Sequence, residues 1–105
     1  MTDQRLTDEL AVRAMKWRKA PGRYHKSGRS WTPESKFRPL TDLRDSFRVL
    51  DSLTDDYSLI AAPGGAFDVQ VRVAGRIGRC SGKEKARTIC LAVAYALGID
   101  WVANG

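Results

Sequence analysis

The most constraining stretch of the chain is Phe67-Asp68-Val69-Gln70-Val71-Arg72-Val73, in which large apolar residues alternate strictly with polar ones. Side chains along a strand point to opposite faces, so this pattern demands a β-strand with one face buried and one face polar. Turn residues bound it: Pro63-Gly64-Gly65 before it and Ala74-Gly75 after it. Tyr57, Leu59 and Ala61 alternate on the near side, and Arg76 to Cys80 is long enough for a third strand. The spacing predicts strands over 57–62, 66–73 and 76–80. A single apolar face needs a helical layer to cover it.

Helical repeats supply that layer. Ala86, Ile89, Cys90, Val93, Ala94 and Leu97 fall on one stripe of a helix over 82–97, with Gly98 as its C-terminal cap. Ser81-Gly82-Lys83-Glu84 reads as a capping box that opens it. Leu43, Phe47, Leu50 and Leu53 mark a helix over 41–54, capped by the Thr41 hydroxyl. Leu6, Leu10, Ala14 and Trp17 mark a first helix over 3–17, stopped by Pro21-Gly22. The expected fold is therefore α+β: a three-stranded antiparallel sheet with three helices, in the order α-loop-α-β-β-β-α. With 105 residues it forms one domain, 1–105. The tail, 98–105, is expected to dock Trp101 on the core.

Residues 18–40 show no periodicity. Yet Trp17, Tyr24, Trp31 and Phe37, four of the nine aromatics, lie in 17–37. Disordered segments are poor in aromatics, so this segment is expected to be an ordered loop. It is also basic: Arg13 to Arg38 holds nine basic residues and one acid, Glu34. A second basic zone, Arg72 to Arg87, holds six basic residues and one acid, Glu84. Between them, Thr41 to Ala62 has five aspartates and two arginines. The formal net charge is +6, and twelve of the eighteen basic residues are arginine. Arginine pairs with phosphate bidentately and stacks on rings. The composition points to an anionic partner as readily as to a plain solvated surface.

Nothing in the sequence demands an enzyme. Gly75 to Lys83 fails the phosphate-loop pattern, with Ile77 where a glycine is required and Glu84 where Ser or Thr must follow the lysine. The cysteines, Cys80 and Cys90, and the one histidine, His25, do not supply a zinc set, and no cofactor is implied. Cys90 reads as a core residue, and a Cys80–His25 pair has no signature to support it. No apolar run is long enough to span a membrane, and the first residues lack the order of a secretory signal. The expectation is a non-enzymatic protein of the cytoplasm, without membrane attachment.

The candidate ligand-binding residues are Trp17, Tyr24, Arg29, Trp31, Phe37, Arg38, Thr41, Arg79 and Lys83. Trp31, Trp17 or Tyr24 would stack on a base, while Arg29, Arg38, Arg79 and Lys83 would meet phosphate. The helix N-terminus behind Ser81, beside Arg79, Lys83 and Lys85, is a candidate anion cradle. Three readings follow: a binder of a small anionic, nucleotide-like ligand, a nucleic-acid binder, and a protein-interaction module or homo-oligomer. The alternative for the rings is that Trp17, Trp31 and Phe37 only anchor the loop.

Several short motifs add a family resemblance. Met15-Lys16-Trp17 closes the first helix. Trp31-Thr32-Pro33 and Phe37-Arg38-Pro39-Leu40-Thr41-Asp42-Leu43 lead into the second. Thr88-Ile89-Cys90-Leu91-Ala92 and Leu97-Gly98 lie in and after the last. From about Leu6 to Gly98 the chain resembles the phage ABA-sandwich domain family of tailed phages and prophages. It departs at Leu40, where the family prefers serine, at Thr88, where it prefers alanine, and in its more charged second helix. The resemblance implies a small antiparallel sheet with helices about it and a phage accessory gene; sequestration of a host-defence nucleotide signal by the small-ligand binder suits such a gene by analogy of functional class. It carries over no catalytic residues. A sandwich covers both sheet faces, whereas Asp68, Gln70 and Arg72 make one face polar. That face is either wet, or covered by the 18–40 loop or by a second subunit.

Overall fold

Thr2 opens the first helix by accepting a hydrogen bond from the Arg5 amide through its side-chain oxygen (3.2 Å). In the computed structural model, which describes residues 2–99, this helix is α1, Asp3–Arg13. It is shorter than the expected 3–17. The backbone turns left-handed at Lys16 (φ 62°), and the Trp17 amide bonds back to the Ala11 carbonyl (3.0 Å). That turn ends the helix and swings Trp17 off its axis. Leu6, Leu10 and Ala14 still form the buried stripe.

The aperiodic segment is ordered, as expected, but it is not a loop. It forms a second antiparallel sheet of three-residue strands: β1 (Arg18–Ala20), β2 (Arg23–His25) and β3 (Trp31–Pro33). Pro21-Gly22 does not merely stop a helix. It makes the tight turn from β1 to β2, with Gly22 at φ 71°, a conformation that glycine adopts without a Cβ penalty. A 3-10 turn over Glu34–Lys36 then leads toward α2 (Leu43–Leu53).

Asp42, not Thr41, caps α2. Its carboxylate accepts from the Arg44 amide (2.9 Å), whereas Thr41 lies one residue earlier in a turn whose amide bonds Arg38 O (3.1 Å). Ser46, Val49 and Leu50 face the core, and Leu43 stays largely exposed.

The large sheet is an antiparallel meander, β4 (Asp56–Ala61), β5 (Phe67–Val73) and β6 (Arg76–Gly82), close to the expected bounds. Its last strand overturns the capping box. Ser81 pairs with Asp68 in the sheet, and its hydroxyl donates to the Asp68 carboxylate. The strand therefore runs on to Gly82, and α3 (Lys85–Leu97) begins later, behind Glu84, whose side chain makes no capping bond. Gly98 ends α3 in the left-handed conformation expected of it.

α3 is the central element. Val69 and Val71 of β5 and Gly78 of β6 lie under it. Its other sides meet α2 and α1, so Thr88, Ala92 and Ala96 are buried along with the expected stripe. The helices thus stand between two sheets, α1 beneath the small one and α3 beneath the large one. Ile99 is buried at the end of this core, and Trp101 lies outside the described residues. Among the described residues no helix is long and apolar enough to cross a membrane.

Candidate nucleic-acid interface

The nine candidate residues do not converge on one pocket. Trp17, Tyr24 and Phe37 form a buried cluster, with ring centroids 4.9 Å apart for Trp17–Phe37, 5.8 Å for Tyr24–Phe37 and 6.0 Å for Trp17–Tyr24. Phe37 meets both other rings edge-on and Trp17 and Tyr24 are tilted to each other, which is core packing. The Tyr24 hydroxyl donates to Asp8 (2.6 Å) on α1 and accepts from Gln4 (3.3 Å). Burial, first, and the neighbouring Asp8 carboxylate, second, push the Tyr24 phenol above its ordinary value. Trp17 keeps 8% of its surface, beneath the cations of Lys26 (5.3 Å from the ring centre) and Arg48 (5.5 Å). None of the three presents a face to a base. They are the anchors of the small sheet.

Arg38 and Thr41 lie in the bend before α2. There they line a shallow groove with Asp3, Gln4, Thr7 and Glu34. Two carboxylates beside one guanidinium do not favour a phosphate. The Arg38 amide donates to the buried Asp45 carboxylate (2.9 Å), which also takes the Arg48 guanidinium (3.2 Å) and so fixes this bend.

Arg79 and Lys83 are exposed but far apart in role. Arg79 stands on the face of the large sheet away from α3, its Nε donating to Gln70 (2.8 Å), and Lys83 is in the link to α3. The proposed anion cradle at Ser81 is absent. Ser81 is committed to Asp68, and Lys85 covers the Phe67 ring (4.4 Å).

What remains is the outer face of the small sheet. Tyr24 points inward, so its neighbours Arg23 and His25 point outward. The register sets Arg18, His25 and Trp31 side by side across the three strands, and Ala20, Arg23 and Pro33 in the next row. Trp31 is 52% exposed, and the Arg23 guanidinium lies 5.4 Å from its ring centre. Arg29 sits in the exposed turn just before it. The inner side is pinned by Lys19, which bonds Glu34, lies 3.4 Å from Asp8 and caps the Tyr24 ring (4.8 Å). The hydrogen bond that Lys19 donates to the Glu34 carboxylate is the main cause of a raised Lys19 pKa. Trp31 and Arg29 are thus the only two of the nine candidates on this face or its rim. Arg18, Arg23 and His25 are on this face but were not among the nine. Their signal was present in Arg18-Lys19-Ala20-Pro21-Gly22-Arg23-Tyr24-His25, two short extended triplets about a Pro-Gly turn. Among the described residues no three His, Cys, Asp or Glu side chains gather as a metal site.

No family model matches the chain, and no curated protein does. Its fold does match a solved structure. Over 97% of this chain and 93% of the other, it superposes with a TM-score of 0.74 on a phage protein from Bacillus cereus ATCC 14579, at 17% sequence identity. The protein therefore shares its fold with a phage protein.

Proposed function

We propose that the protein is a non-enzymatic phage accessory protein of the host cytoplasm that binds single-stranded nucleic acid on the outer face of its small sheet. One observation carries this reading: an indole half exposed on a flat strand face, with Arg18, Arg23 and His25 around it and Arg29 at its rim. Arg23 covers one side of the Trp31 ring, which leaves the other side for an unpaired base. Arginines at strand spacing then meet successive phosphates. A duplex hides its bases in the stack, so an exposed ring favours single strands. The net charge of +6 draws in any polyanion. The shared fold and the ABA-sandwich resemblance support the phage context.

Sequestration of a small host-defence nucleotide is less well supported, because the rings that would have walled a pocket are in the core. A free nucleotide and a strand share the same base chemistry, and one titration separates them. With a fluorescently labelled single-stranded oligonucleotide at low salt, anisotropy should report binding that weakens as salt rises. Trp31→Ala should weaken it by about 5- to 150-fold, the worth of one stacked base. Arg23→Ala should lower the salt slope by about 0.7. Lys83→Ala, remote from the face, should change little. Unaltered affinity in Trp31→Ala overturns the proposal, as does a mononucleotide that competes as well as the oligonucleotide.

A further inference from the structure

The outward face of the large sheet is a three-by-three array. The register places Ile60, Asp68 and Ser81 in one row, Ser58, Gln70 and Arg79 in the next, and Asp56, Arg72 and Ile77 in the third. Eight of the nine are exposed, and the central Gln70 is half-buried. Ile60 and Ile77 stand at opposite corners, 61% and 53% exposed. On the Ile60 side of the array, Ser58, Ile60, Asp68, Gln70, Arg79 and Ser81 line a depression of ≈ 350 Å³. Neither the helices nor the small sheet covers this face.

Its charges are arranged unevenly within one chain. Arg72 lies 3.5 Å from Asp56. Asp68 takes only a hydroxyl, from Ser81, and Arg79 only an amide oxygen, from Gln70. Among the described residues neither Asp68 nor Arg79 has an opposite charge as partner.

We infer that this face meets the same face of a second copy of the chain, about a two-fold axis along the Ser81–Gln70–Asp56 diagonal of the array. The axis lies in the plane between the copies, so each residue meets its mirror position across the diagonal. Ile60 then faces Ile77 of the second copy, and Asp68 faces Arg79 of the second copy. Ser58 faces Arg72 of the second copy. Symmetry makes each contact twice, as an isologous interface requires. Other axes do worse. One along the strands sets Asp68 against Asp68 of the second copy and Ile77 against Asp56. One across the strands sets both isoleucines against polar residues. The diagonal alone joins the apolar corners and the unmatched charges in one operation. It also crosses the strands steeply, the orthogonal mode of sheet-on-sheet packing. Asp56 meets its own counterpart only at the rim, where Arg72 already accompanies it. The interface thus places a second copy where the sheet's polar side lacks a covering layer, and it leaves both small sheets at the outer ends.

Light scattering on size-exclusion fractions across the micromolar range tests this. Wild type should have twice the chain mass of 11.7 kDa. Ile60→Lys should give a monomer. Asp68→Arg and Arg79→Asp should each weaken the dimer about tenfold or more, by setting like charges together twice. The double variant Asp68→Arg with Arg79→Asp should restore it, because the swapped pair is again complementary. Circular dichroism on each variant confirms that these exposed changes leave the fold intact. A wild-type monomer throughout overturns the inference, and so does a dimer indifferent to Ile60→Lys and Asp68→Arg. Folded single variants that dissociate without rescue in the double variant also overturn it.

Discussion

Among the described glycines, Gly78 leaves the least room for a side chain. A Cβ there would stand 2.0 Å from the Ala92 carbonyl oxygen and 2.6 Å from the Ala96 amide nitrogen. Both are backbone atoms of α3, so no rotamer change relieves the clash. Gly78→Ala should push α3 off the large sheet, with a loss of about 3 kcal/mol or more that thermal denaturation reads as a lower Tm. Ala74 presents the opposite case. It holds φ at 51° in the β5–β6 turn, where its methyl group is strained. Ala74→Gly should stabilise the protein by about 1 kcal/mol in chemical denaturation. Tyr24 gives a pH signature. Its folded pKa lies above the unfolded value near 10, so its contribution is complete below that value. It is lost as pH rises through the folded pKa. Stability measured upward from pH 9 should fall less steeply in Tyr24→Phe, which starts lower for want of the Asp8 bond.

At the scale of elements, the small sheet rests on rings it does not expose. Phe37→Ala should cost about 3–5 kcal/mol of stability and weaken strand binding as well, though Phe37 touches no ligand. Trp31→Ala should weaken binding and leave the Tm nearly unchanged, because half its surface is already in water. Measuring both quantities on both variants separates anchor from platform. The same contrast explains what could be read before any coordinates. The long elements were legible: β5 from its alternation, α3 from its stripe, Gly98 from its position. The small sheet was not, since three residues are too few to show a period of two. The capping box failed because Ser81 had a competing partner in Asp68, thirteen residues away, and local patterns do not weigh non-local hydrogen bonds. Thr41 lost the cap to Asp42 by a single position, within the usual margin for helix ends. In the candidate site, composition located the aromatic, basic segment, but only the direction of Tyr24 decided which rings faced out.

Considered as a whole, the molecule has its helices at its centre, with α1 against the small sheet and α3 against the large one, and that arrangement should make unfolding a single event. Ile89→Ala, buried in α3, should cost about 2–5 kcal/mol. Limited trypsin digestion in rising denaturant should then open the Arg23 and Lys26 sites in the same transition that melts the large sheet. Separate transitions would show that the two sheets are independent units. The polar ties that join the helices are long in sequence. Arg87 donates to Asp3 (2.9 Å) and Arg13 donates to the Leu97 carbonyl (2.9 Å), each bridging 84 residues. Cys90 reaches the Pro39 carbonyl (3.2 Å) across 51. On the ribosome, residues 3–40, which carry α1 and the proposed binding face, are made before α3, the helix against which α1 packs. A product stalled before α3 therefore displays the arginines and Trp31 without the core behind them, so the proposed face becomes competent only once α3 has been made.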